Sequence, residues 1–147
     1  MAIAEILRKT EASDNFQKLR KLIQSGQKKA EVSGLVGSGK SLLLAYLKKE
    51  LDSPFLVITS HPDESWKIYE DLVSFLGEEE VRLFPGWEIL PYEFKIPHSE
   101  VIGRRLECLY DLVTGKNPII VTTIRACLEK TLLPEELKQR SITLKVK

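Results

Sequence analysis

Cysteine is scarce in this chain: two in 147 residues, Cys108 and Cys127, and they are not in C-x-x-C spacing. That argues against a disulfide framework or a cysteine-based metal site, and no protein-bound metal is expected. Both fall in stretches that read as helix, so buried free thiols in a reducing compartment are expected. Long hydrophobic runs are missing too. None approaches a membrane span, and Met1-Ala2-Ile3-Ala4-Glu5 lacks the basic start and apolar core of a secretion signal. A cytoplasmic location without a membrane partner is therefore expected. Charge of one sign is not in excess, with 22 basic against 21 acidic residues. This argues against a dedicated basic nucleic-acid module and leaves room only for a local patch. There is no internal repeat and no low-complexity linker, and the length suits one domain with its own core.

What is present begins with Gly34 to Ser41, G-L-V-G-S-G-K-S, a full match to the phosphate-binding loop G-x-x-x-x-G-K-[ST]. Ala30-Glu31-Val32-Ser33 before it alternates as a short strand can, and Leu42, Leu43, Leu44, Ala45 and Leu47 after it open a helix. In such a loop glycines let backbone N–H groups wrap a polyphosphate, a lysine pairs with the β/γ-phosphates, and a hydroxyl can hold Mg²⁺. Gly34, Gly37, Ser38, Gly39, Lys40 and Ser41 are the candidate nucleotide-binding residues. ATP or ADP with Mg²⁺ is the expected ligand, at low affinity, with Ser41 reaching the metal through the nucleotide.

The loop's usual catalytic company is absent. Hydrolysing enzymes of this class also use an acidic residue to position Mg²⁺ and commonly an arginine to stabilise the transition state. Here Leu56-Val57-Ile58 runs into Thr59-Ser60 and Ile119-Ile120-Val121 into Thr122-Thr123, with no Asp or Glu at either strand end. No catalytic residue is assigned.

The element order predicts an α/β fold, a parallel sheet flanked by helices. A helix is expected over about Asp14 to Gln24, with Phe16, Leu19, Leu22 and Ile23 at helical spacing. After the phosphate loop its helix runs to about Leu51 and is closed by Asp52-Ser53-Pro54. Phe55 to Thr59 reads as a strand covered on both faces. Pro62 to Leu76 reads as a helix with Trp66, Tyr69, Leu72, Val73 and Leu76 in its apolar stripe and Gly77 as its stop. Val81 to Phe84 and Ile119 to Thr123 are further strands. Between them Ser99 to Val113 is a helix expected to bury Ile102, Leu106, Leu109 and Val113. Strands alternating with helices imply parallel pairing through crossovers.

Two segments interrupt this pattern. Pro85 to Pro97 holds three prolines and the aromatics Trp87, Tyr92 and Phe94 in a long connection, and such connections are often functional. The aromatics either fold back onto the core or offer a surface to DNA bases or a neighbouring domain. Ser141 to Lys147 alternates as a strand and has no following turn, as expected of a fragment of a longer chain.

The run Leu83-Phe84-Pro85-Gly86-Trp87-Glu88-Ile89-Leu90-Pro91-Tyr92-Glu93, then Pro97-His98-Ser99-Glu100 and Arg105-Leu106, closely resembles the N-terminal module of the bacterial transcription-repair-coupling factors. Ile119 to Thr123 and Leu132-Leu133-Pro134 continue the likeness, which covers about Val32 to the C-terminus. That module is similar in turn to the excision-repair protein UvrB, whose RecA-like domain carries a related phosphate loop followed by a long DNA-clamping hairpin. Pro85 to Pro97 is too short for that hairpin, which favours the coupling factors. Their loop is eroded in many members, whereas Gly34 to Ser41 is intact. The resemblance implies a RecA-like domain over residues 1–140 with an N-terminal helix, and residues 141–147 as the opening strand of a following domain. It implies a parent protein that is a cytoplasmic ATP-dependent DNA translocase linking stalled RNA polymerase to nucleotide excision repair. RNA polymerase, UvrA and DNA would be met through other domains, and this segment, a scaffold, would make mainly contacts between domains.

Two other classes stay open at this point. One is a UvrB-like helicase fragment or a small P-loop kinase. The other is an interaction module with a vestigial loop. A nucleotide-binding assay separates them. Ligands of open parallel sheets lie beyond the carboxyl ends of the strands, so any DNA contact is expected at Ser60-His61 and at Thr122, Thr123 and Arg125.

Overall fold

The computed structural model describes residues 5, 13–51, 53–87 and 96–142. Helix α1 spans Asp14–Gln24, α2 Gly39–Glu50, α3 Pro62–Leu76, α4 Ser99–Val113, α5 Ile124–Leu128 and α6 Pro134–Arg140. Strands β1, Phe55–Thr59, β2, Val81–Phe84, and β3, Ile119–Thr123, form a parallel sheet in the order β1-β3-β2. The fold is α/β, a three-stranded parallel sheet flanked by helices. The last of the three described strands is thus inserted between the other two. Ile119 stands opposite both Phe55 and Val81, and all five residues of β3 are buried, as suits a central strand covered on both faces.

The register sorts the side chains. Ile119 and Val121, with Val81 and Leu83, pack against Ala45 of α2 and Ile68 and Leu72 of α3, and this is the main core. A second cluster sits between α1 and α2, where Leu43, Tyr46 and Leu47 meet Phe16, Leu19 and Ile23. There the Phe16 and Tyr46 rings meet edge to face at 5.3 Å.

The opposite sheet face is covered differently. Arg82 on β2 is buried against α4, its Nε 2.8 Å from Asp111 Oδ2, while Lys116 reaches the other oxygen of Asp111 at 2.8 Å. The buried side of α4 is therefore Arg105, Cys108 and Asp111. Of the apolar residues expected inside, Leu106 is exposed and Ile102, Leu109 and Val113 are only half-buried. The helical period was legible, but its phase is set by ion pairing with β2 and the segment after β3.

Three further expectations are corrected. Ala30 to Ser33 forms no strand; it is exposed and unpaired, and among the described residues β1 is an edge of the sheet. A strand entering that position needs a near-continuous apolar run, and this stretch, preceded by Lys28-Lys29, supplies only Ala30 and Val32. Trp66 is 40% exposed rather than core, because α3 turns Ser65, Ile68 and Leu72 inward. Cys108 is buried as expected, but Cys127 is exposed. The strand expected over 141–147 lies outside the described residues from 143 onward, and Ser141 and Ile142 belong to no regular element.

Candidate nucleotide site and the carboxyl-end cleft

The phosphate loop keeps the shape its glycines allow. Gly34 and Gly37 have φ of +80° and +58°, values that residues with a Cβ rarely adopt. Gly39 has neither a positive φ nor a crowded neighbour; an added Cβ would meet Leu35 at 3.7 Å, an ordinary contact. Ser38 is the residue before α2, and its carbonyl accepts from Leu42 N–H at 2.9 Å. Lys40 and Ser41 therefore stand in the first turn of a twelve-residue helix, where free N–H groups and the helix dipole favour an anion.

The tertiary fold then adds what the strand ends lack. Ser41, 1% exposed, donates its hydroxyl to Asp71 Oδ2 at 3.0 Å. Lys40 Nζ donates to Glu64 Oε1 at 2.8 Å. Both carboxylates come from α3. The hydrogen bond from Lys40 holds the Glu64 carboxyl below its ordinary range, against a smaller opposing effect of burial. The loop and α3 enclose a cleft of about 510 Å³ that also exposes Asp63 and Lys67. No arginine is among the described residues that line it. These acidic residues stand on α3 rather than at a strand end, where an acidic partner of the loop was expected. Their spacing, 64 and 71 on one helix, places them two turns apart on one face and was the available signal.

A second cleft, about 260 Å³, opens beyond the carboxyl ends of all three strands. Ser60, His61, Trp66, Gly86, Thr123 and Arg125 are among its lining residues, so the two segments expected to share that end of the sheet do meet there. The two threonine hydroxyls are committed elsewhere. Thr122 is 1% exposed and donates to Phe84 O at 2.8 Å, and Thr123 Oγ1 accepts from Ala126 N–H at 3.2 Å, capping α5. Arg125 keeps an exposed side chain, 3.9 Å from Glu129.

Trp87 belongs to a different cluster. Its backbone N–H donates to both carboxylate oxygens of Glu129, at 2.9 and 3.2 Å, and the Arg105 guanidinium lies 4.1 Å from its ring centroid and 4.1 Å from that of Phe84. Arg105 is 2% exposed and donates to Glu129 Oε2 at 2.9 Å and to Pro85 O at 2.7 Å. Burial pulls the guanidinium's pKa down and Glu129 pushes it back up. The start of the aromatic loop thus folds onto its own module. Tyr92 and Phe94 lie outside the described residues.

No family model matches the chain. It is 30% identical, over 88% of its length, to the transcription-repair-coupling factor of Bacillus subtilis (strain 168). The chain is a relative of the transcription-repair-coupling factors. Staphylococcus aureus (strain USA300) has one that is 28% identical over 90% of the chain, and that of Haemophilus influenzae is 34% identical over 50% of it. These matches span 11%, 11% and 6% of the coupling factors of B. subtilis, S. aureus and H. influenzae, so the chain corresponds to a small part of each relative. Among the described residues no helix is long and apolar enough to cross a membrane.

Proposed function

We propose that this chain is a nucleotide-binding scaffold unit of a transcription-coupled DNA repair factor, holding ATP or ADP with Mg²⁺ weakly and without hydrolysing it. The observation that carries the reading is the pairing of Lys40 and Ser41, in the first turn of α2, with Glu64 and Asp71. The residues present fit the ligand. N–H groups of the turn and Lys40 suit a polyphosphate, and the Ser41 hydroxyl with the Asp71 carboxylate is an oxygen donor pair of the kind Mg²⁺ takes. When bound, the metal would neutralise phosphate charge next to these carboxylates.

Binding and catalysis are different demands. Groups that act only in the transition state raise turnover, and among the described residues lining the cleft there is no arginine to supply that stabilisation. Arg104 is paired with Glu100 at 3.0 Å and lies over Trp66, and Arg105 is buried against Glu129. Neither sits on a lid over the phosphate loop, which disfavours a small P-loop kinase. The repair role rests on the named relatives. In it the parent protein would be an ATP-dependent DNA translocase in the cytoplasm that meets RNA polymerase, UvrA and DNA through other domains. This unit would hold neighbouring domains in place.

The test is titration of the chain with ATP and ADP in Mg²⁺, followed by calorimetry and by phosphate release. Binding in the high-micromolar to millimolar range, lost in Lys40→Ala, with no phosphate release is the expected result. No binding at millimolar nucleotide would leave the interaction module with a vestigial loop. Turnover abolished by Lys40→Ala would establish a hydrolase.

A further inference from the structure

The phosphate loop already has an anion at its lysine. Lys40 Nζ lies 2.8 Å from Glu64 Oε1, and both side chains are more than a third exposed, so the pair faces the cleft rather than the core. Asp63 and Asp71 line the same cleft. An incoming polyphosphate must take Lys40 from Glu64 and then lie beside three carboxylates.

We propose that Glu64 is a built-in competitor for the terminal phosphate at Lys40, so that nucleotide affinity is set by how readily this carboxylate swings away. The inference rests on the nucleotide-binding reading and deepens it. Its physical content is mass action: a ligand that binds only the form with Lys40 released has its apparent affinity reduced by the fraction of that form. An exposed ion pair is modest in strength, about 0.2–1 kcal/mol, which through the fraction of released lysine converts to a reduction of roughly two- to sixfold. Glu64 sits in the first turn of α3 behind Pro62, and its side chain is 38% exposed. Asp63, its neighbour in sequence, lines the cleft without an ion pair to Lys40 among those described. It separates a specific contact from general negative charge.

The experiment compares Mg²⁺-ADP affinity of the chain with that of Glu64→Gln and Asp63→Asn at one ionic strength, with thermal melts confirming that each variant is folded. Glu64→Gln is expected to bind about two- to sixfold tighter and Asp63→Asn to change affinity by clearly less. Binding by Glu64→Gln where the parent shows none would support the proposal more strongly. Parent binding with Glu64→Gln equal or weaker overturns it and leaves the nucleotide site standing, and an equal gain in both variants overturns it in favour of general repulsion. If parent and Glu64→Gln both fail to bind at millimolar nucleotide, the site itself falls and the competitor with it.

Discussion

Ser41 and Asp71, thirty positions apart in the chain, are joined by a 3.0 Å hydrogen bond at the foot of the phosphate loop. The bond ties the first turn of α2 to the middle of α3 and puts a carboxylate beside the hydroxyl that a nucleotide's metal would use. Asp71→Asn should keep the hydrogen bond and remove the charge. Its expected signature is a stability change of about 1 kcal/mol or less by urea unfolding, with a several-fold weaker Mg²⁺ requirement for ADP binding. An unchanged Mg²⁺ titration would show that Asp71 serves the fold alone.

Glu129 satisfies Arg105 and the Trp87 amide together. Glu129→Ala leaves a buried guanidinium without its counter-charge, a class of change that costs about 3–5 kcal/mol, and Glu129→Gln should cost clearly less. Urea unfolding followed by Trp87 fluorescence, in a Trp66→Phe background, reads both values. Equal costs for the two variants would mean that packing rather than charge holds this cluster.

The two thiols should behave oppositely. Cys127 is exposed and should react with a thiol reagent in the native chain, while Cys108 should react only on unfolding. Burial pushes the Cys108 thiol up to about 12 from an ordinary value near 9. A raised folded-state pKa contributes stability that is fully present below the unfolded value and lost as pH rises. This contribution should therefore fade between about pH 9 and pH 12. Mass spectrometry of native labelling, and unfolding of a Cys108→Ala variant across that window, check the two halves. Native labelling of Cys108 at a rate like that of Cys127 contradicts the buried assignment.

DNA contact at the carboxyl-end cleft should be weak and salt-sensitive. Among the described residues lining the cleft, Arg125 is the one arginine or lysine and offers few phosphate contacts, and few contacts give a shallow salt slope. Arg125→Ala is expected to remove most of whatever non-specific binding exists. Thr122→Val should leave binding unchanged and lower stability by about 1 kcal/mol, because its hydroxyl is spent on Phe84 O. Fluorescence anisotropy with a labelled duplex at two salt concentrations measures this. Sub-micromolar, salt-resistant affinity would reveal a DNA-gripping module.

Local order was written in the sequence. The bounds of α1, α3 and α4 follow from apolar spacing and from breakers such as Pro62 and Gly77, and β1 and β3 from short apolar runs. The phosphate loop and the likeness to coupling factors were equally legible, since both reside in contiguous residues. Which side of each helix faces inward was not. Arg105, Cys108 and Asp111 are buried on α4 because Arg82, Glu129 and Pro85 O meet them from other elements, and no periodicity carries that information. Ala30 to Ser33 looked like a strand by alternation yet buries nothing, because strand formation depends on neighbours that cover it. The acidic partners of Lys40 and Ser41 come from α3, which packs beside α2 on one face of the sheet. Only the folded chain puts 40 and 64, or 41 and 71, within hydrogen-bond reach.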